Sequence, residues 1–150
     1  MTFPERRASL SPAETESLGE ALAREIIDNG LPRFVALFGD LGVGKTAFVR
    51  GFTRAIAPDA RVKSPTFALV NEYKGKTCSV FHFDMYRIED EDELYSIGFY
   101  DYADRGGICI TEWSENIEYA LPESYIRVEL IKDNESDTDS RAVLFDMIGA

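Results

Sequence analysis

Gly39 and Gly44, followed at once by Lys45 and Thr46, stand in the spacing G-x-x-x-x-G-K-[ST], with a further glycine at 42. Such a segment turns backbone N–H groups toward phosphate oxygens and adds one ammonium and one hydroxyl. Phosphoryl transfer spreads negative charge over the γ-phosphoryl oxygens, so charge neutralisation matters more there than covalent help. Lys45 is the expected phosphate-bridging cation and Thr46 the expected hydroxyl for Mg²⁺. The N–H groups of Gly42 to Thr46 form the expected anion cradle at a helix N-terminus. The stretch Asp40, Leu41, Gly42, Val43, Gly44, Lys45, Thr46 and Ala47 is the candidate nucleotide-binding segment.

A hard divalent cation takes oxygen ligands, so an acid at the end of a neighbouring strand should complete its shell, directly or through water. Two acids qualify. Asp84 ends the run Ser79 to Phe83, and Glu112 ends the run Gly107 to Thr111. Either also fits a surface carboxylate at a strand end, and position alone leaves open which one touches the metal. Thr66, in Ser64-Pro65-Thr66-Phe67, offers a second hydroxyl to the metal or γ-phosphate, or is simply a turn threonine. His82, the one histidine, reads as a strand side chain satisfied by a neighbour rather than a base. Trp113 reads as core, or as a border of the nucleotide.

These residues need elements to hold them. Arg33 to Phe38 reads as a buried strand and Thr46 to Ala57 as a helix stopped by Pro58, the strand–loop–helix order a phosphate loop requires. Ahead of them, Ser11-Pro12-Ala13-Glu14 starts a helix with a capping box, and Asn29-Gly30 ends it. Residues 67–73 and 77–83 around Lys74-Gly75-Lys76 read as a hairpin. A short acidic helix follows over Asp90 to Ile97. Residues 107–111 form another buried strand, and Ser114 to about Ala120 a short helix. Tyr125–Ile131 and Arg141–Met147 form a final hairpin around a polar turn at 132–140, and residues 1–10 read as an N-terminal extension. The expected fold class is α/β: a P-loop NTPase fold in one domain over 1–150, its mostly parallel central sheet carrying antiparallel hairpin strands and flanked by helices.

Composition narrows the partners. With 27 acidic against 16 basic residues the formal charge is −11, so the field of the whole chain repels polyanions and strong direct binding of nucleic acid is not expected. Cys78 and Cys109 match neither a zinc knuckle nor a redox pair and read as small buried hydrophobes in a reducing cytosol. No apolar run approaches a membrane span and the N-terminus lacks a signal-peptide core, so a cytoplasmic location is expected.

Beyond the phosphate loop, Ser64-Pro65-Thr66-Phe67-Ala68-Leu69-Val70-Asn71-Glu72-Tyr73, His82-Phe83-Asp84-Met85-Tyr86-Arg87, Glu93-Leu94 with Ile97-Gly98-Phe99, and Glu112-Trp113-Ser114-Glu115 follow in order. In order and spacing the chain resembles the TsaE (YjeE) family, over about residues 10 to 130. Val43 and Ala47 stand where alanine and threonine are more usual. The resemblance implies a protein that binds ATP and Mg²⁺ and hydrolyses slowly alone. It also implies work with the TsaD and TsaB proteins on the adenosine beside the anticodon of tRNAs reading ANN codons, with tRNA reached through the complex. It places Thr66 in a switch-like loop, Asp84 in an H-x-D-x-Y-R motif and Glu112-Trp113 in an E-W motif, which strengthens all three as site residues.

Two other readings use the same loop. A small-molecule kinase needs a substrate pocket and commonly a lid bearing arginines; Arg87 and Arg105 are present without a cluster. A GTP-dependent switch needs a guanine-reading N-K-x-D, and Ile131-Lys132-Asp133-Asn134 has the wrong order.

Overall fold

A computed structural model describes residues 1–40, 42–63, 69–133 and 139–149. One sheet of seven strands organises them, in the order β1-β7-β6-β2-β5-β4-β3. The strands are β1 (Glu5–Ser9), β2 (Phe34–Phe38), β3 (Val70–Lys74), β4 (Ser79–Asp84), β5 (Ile108–Glu112), β6 (Tyr125–Lys132) and β7 (Arg141–Ile148). β4, β5, β2 and β6 run parallel to one another, while β3 pairs antiparallel with β4 and β7 with β6. The α/β class with parallel centre and hairpin edges is therefore the observed one.

Alternation along the strands sends side chains to two layers. Val35 and Leu37 of β2, Val80 of β4, Ile108 and Ile110 of β5 and Val128 of β6 pack with helices α1 (Pro12–Asn29) and α2 (Lys45–Ile56). Phe34, Ala36 and Phe38, with Phe81, Phe83 and Cys109, pack on the other face with Leu94 of α3 (Glu91–Ser96), Phe99 of α4 (Phe99–Tyr102) and Ile117 of the 3₁₀ segment Ser114–Ala120. Burial pushes the Cys109 thiol up to about 12, as befits a buried hydrophobe. Cys78 is only partly buried, against the expectation of a core position.

Helix α1 begins as its sequence requires. Ser11 accepts from the Glu14 N–H at 3.1 Å, but the Glu14 carboxylate reaches back to the N–H of Leu10 rather than to the cap itself. Gly30, at φ 62°, closes its far end. The two helices touch backbone to backbone: a Cβ on Gly19 would lie 2.2 Å from the Phe48 carbonyl, and one on Gly51 1.8 Å from that of Glu16. That closeness fixes α2, and with it the loop that feeds it.

Two elements differ from expectation. Residues 5–9, within the stretch read as an extension, form β1 and pair with β7 from Glu5 opposite Phe145 to Ser9 opposite Arg141. Only Ser9 of that strand is buried, so no hydrophobic alternation marks it; backbone pairing at a sheet edge makes it. Gly98, at φ 72°, also starts a further short helix, α4, after α3.

Candidate nucleotide site

Phe38 ends β2, Asp84 ends β4, Glu112 ends β5 and Lys132 ends β6, so parallel strands deliver all four to one edge of the sheet. α/β sheets bind ligands outside such carboxyl ends, where neighbouring strands connect in opposite directions. β2 has β5 on one side and β6 on the other, and the glycine loop leaves from this point. Gly42 at φ 80° and Gly44 at φ 99° take the left-handed conformations that the loop needs. The loop then becomes α2, whose first turn closes with the Phe48 N–H on the Gly44 carbonyl at 3.0 Å. The first N–H groups of any α-helix have no intrahelical partner and carry the positive end of its dipole.

Gly42, Gly44, Lys45, Thr46, Asp84, Glu112 and Trp113 line one cavity of about 350 Å³. A larger cleft of about 600 Å³ between Asp59–Lys63 and β3 touches none of them; chemistry rather than size singles out the smaller. Lys45 is 5% exposed, donates from Nζ to the Gly39 carbonyl at 2.7 Å, and sits 3.8 Å from the centre of the Trp113 ring. Burial lowers its pKa, while Glu112, Glu115, Asp84 and Asp40 act in the opposite sense. Four carboxylates thus face one ammonium.

Local turns explain how the acids are aimed. At the end of β4, Asp84 accepts from the Tyr86 N–H at 3.0 Å, and Asn116 Nδ2 donates to the carbonyls of Met85 (2.9 Å) and Tyr86 (3.1 Å). The Asp84 pKa is raised by burial and by nearby Glu112, the Tyr86 bond, His82 and Lys45 opposing. At the end of β5, the Ser114 hydroxyl donates to the Thr111 carbonyl at 3.0 Å, which leaves it to accept from the Thr111 hydroxyl at 2.7 Å. That turn holds Trp113 at φ 57°, a conformation uncommon outside glycine and typical of functional sites. Behind Glu112 lies fully buried His82, its Nε2 2.5 Å from Glu112 Oε2. The Tyr73 hydroxyl, 3.5 Å from His82 Nδ1, also donates to the Lys63 carbonyl at 3.0 Å.

The expected residues divide as follows. Lys45, Thr46, Asp84, Glu112, Trp113, Gly42 and Gly44 converge on the cavity. Asp40 and Val43 line the adjoining hollow with Glu115, and Ala47 is buried in α2. Leu41 and Thr66 lie outside the described residues. Three participants escaped the sequence reading as site residues. Glu115 accepts from the Gly39 N–H at 3.1 Å, His82 backs Glu112, and Arg141 reaches the loop from β7. For Glu115 the signal was its place in Glu112-Trp113-Ser114-Glu115; for Arg141 only the sheet order carries it.

Among the described residues no group of three or more His, Cys, Asp or Glu is arranged to hold a metal alone. The Thr46 hydroxyl and the Asp84 and Glu112 carboxylates, which line this cavity, instead fit a hard cation that completes its shell with other oxygen ligands. The excess of carboxylate over ammonium fits the same cation.

Known proteins share the sequence pattern and the fold. The family model described as threonylcarbamoyl adenosine biosynthesis protein TsaE matches residues 9–143. The tRNA threonylcarbamoyladenosine biosynthesis protein TsaE of Haemophilus influenzae is 45% identical over 96 residues, 64% of this chain and 61% of that protein, so the match spans less than two thirds of that relative. Its namesake from Bacillus subtilis is 33% identical over 141 residues, 94% of this chain and 84% of that one. The crystal structure of Bacillus subtilis YdiB shares the fold, with a TM-score of 0.70 at 24% identity over 100% of this chain and 88% of that one. The chain belongs to the TsaE family of threonylcarbamoyl adenosine biosynthesis proteins.

Proposed function

We propose that the protein is a Mg²⁺-dependent ATPase that serves threonylcarbamoyladenosine modification of tRNA together with TsaD and TsaB. The observation that supports this reading is the meeting of Lys45, Thr46, Asp84, Glu112 and Trp113 in one cavity at the start of α2. Thr46 and Glu112 would hold Mg²⁺, with Asp84 beside them, and the ion would neutralise charge on the transferring phosphoryl group. Lys45 exchanges the Gly39 carbonyl for phosphate oxygens, and the loop N–H groups receive the remaining charge. Trp113 covers the ammonium and excludes water from that side. His82 keeps the Glu112 carboxylate in one orientation. Asp84 and Thr66 position the γ-phosphate and the attacking water.

A net charge of −11 suits an ATPase whose partners grip the tRNA. No helix among the described residues is long and apolar enough to cross a membrane, and the proposed location is the cytoplasm. A pull-down of TsaD and TsaB with and without ATP, followed by hydrolysis assays with the recovered proteins and tRNA, tests the reading. ATP-dependent recovery and partner-stimulated ADP release are expected. ADP release that depends instead on a small metabolite would make the protein a kinase.

A further inference from the structure

Strand β7 opens at Arg141, beside Lys132 of β6 and Ser9 of β1, at the sheet edge where β2 gives way to the glycine loop. Its guanidinium crosses to that loop. Nε–H donates to the Val43 carbonyl at 2.9 Å and Nη2–H to the Gly42 carbonyl at 3.0 Å, while Nη1–H donates to the Ser140 carbonyl at 3.0 Å. One planar side chain therefore holds two consecutive carbonyls of the loop, by charge-assisted bonds of the stronger kind.

A peptide unit is planar, with its C=O and N–H pointing opposite ways. Fixing the carbonyl of Gly42 fixes the N–H of Val43, and fixing that of Val43 fixes the N–H of Gly44. The loop needs such a restraint, because Gly42 is exposed and a Cβ there would meet nothing within 4 Å. We propose that Arg141 is a positioning residue for phosphate: it holds the peptide planes 42–43 and 43–44 so that the Val43 and Gly44 N–H groups face the anion. The inference rests on the nucleotide reading of this loop and extends it to the C-terminal hairpin.

The test compares the wild type with Arg141→Met and Arg141→Lys. Mg·ATP and ADP affinities are followed by fluorescence of Trp113, the only tryptophan, thermal unfolding is recorded, and the Val43 and Gly44 amide resonances are titrated with ADP. Arg141→Met is expected to weaken both nucleotides at least about tenfold, and Arg141→Lys, which reaches one carbonyl, by less. The midpoint of unfolding should move little, and the ADP-induced shifts of the two amides should shrink in step with affinity. If Arg141→Met does not fold, the Lys variant decides. Wild-type affinity and unchanged amide shifts in either folded variant overturn the proposal, as does a lowered midpoint with unchanged affinity. A wild type that binds no Mg·ATP contradicts the nucleotide reading itself, a result distinct from variants that bind as well as a competent wild type.

Discussion

His82 and Glu112 meet across neighbouring parallel strands: Asp84 stands opposite Glu112 in register, and His82, two residues earlier on the same face, places Nε2 2.5 Å from Glu112 Oε2. The period of two along a strand thus puts the imidazole and both acids on the α2 side of the sheet. Replacing His82 by alanine leaves the Glu112 carboxylate without this partner and opens a hole at a fully buried position. A loss of about 2 kcal/mol in urea unfolding is expected, together with slower turnover from a mobile Glu112.

Glu112→Gln keeps the size of the side chain and removes its charge. Turnover should fall at least about a hundredfold, and nucleotide affinity by less, because the loop amides and Lys45 remain. Steady-state kinetics alongside equilibrium binding separate the two. Equal losses in both would make Glu112 a binding group only.

The raised pKa of Asp84 gives stability a pH dependence of definite sign. The folded protein holds this proton more tightly than the unfolded chain does, so the penalty of the half-buried carboxylate is full above the raised value and vanishes below the ordinary aspartate range. Asp84→Asn, which still accepts from the Tyr86 N–H, should therefore melt roughly 1–3 °C higher than the ligand-free wild type at neutral pH. The two curves should converge in acid. A variant that melts lower at neutral pH contradicts the assignment.

Gly51→Ala tests the helix pair that carries the loop. The new Cβ would lie 1.8 Å from the Glu16 carbonyl oxygen, a backbone atom that cannot swing aside. A loss of about 3 kcal/mol or more is expected in urea unfolding, with nucleotide affinity falling as α2 shifts.

Much of the site was legible because its signals are local. Ser11 and Gly30 bound α1, an apolar run feeds the glycine loop, and Asp84 and Glu112 each follow a strand of buried residues. What the sequence hid depends on pairing between distant segments. β1, written Glu5-Arg6-Arg7-Ala8-Ser9, has no apolar face and exists because β7 offers it an edge. Arg141 looked like an ordinary first residue of a strand until the sheet order set it beside Gly42 and Val43. His82 was read as a satisfied strand residue, which it is, but its partner is a site carboxylate 30 positions away.

The central claim is that magnesium-bound ATP settles on the loop between β2 and α2 with Lys45 against its phosphates. Calorimetric titration of the purified protein with ATP, with and without Mg²⁺ and beside Lys45→Ala, tests it most directly. Saturable 1:1 binding that needs Mg²⁺ and weakens on the order of a hundredfold in Lys45→Ala is the expected result. Absence of binding in the wild type, or equal affinity in the variant, would contradict it.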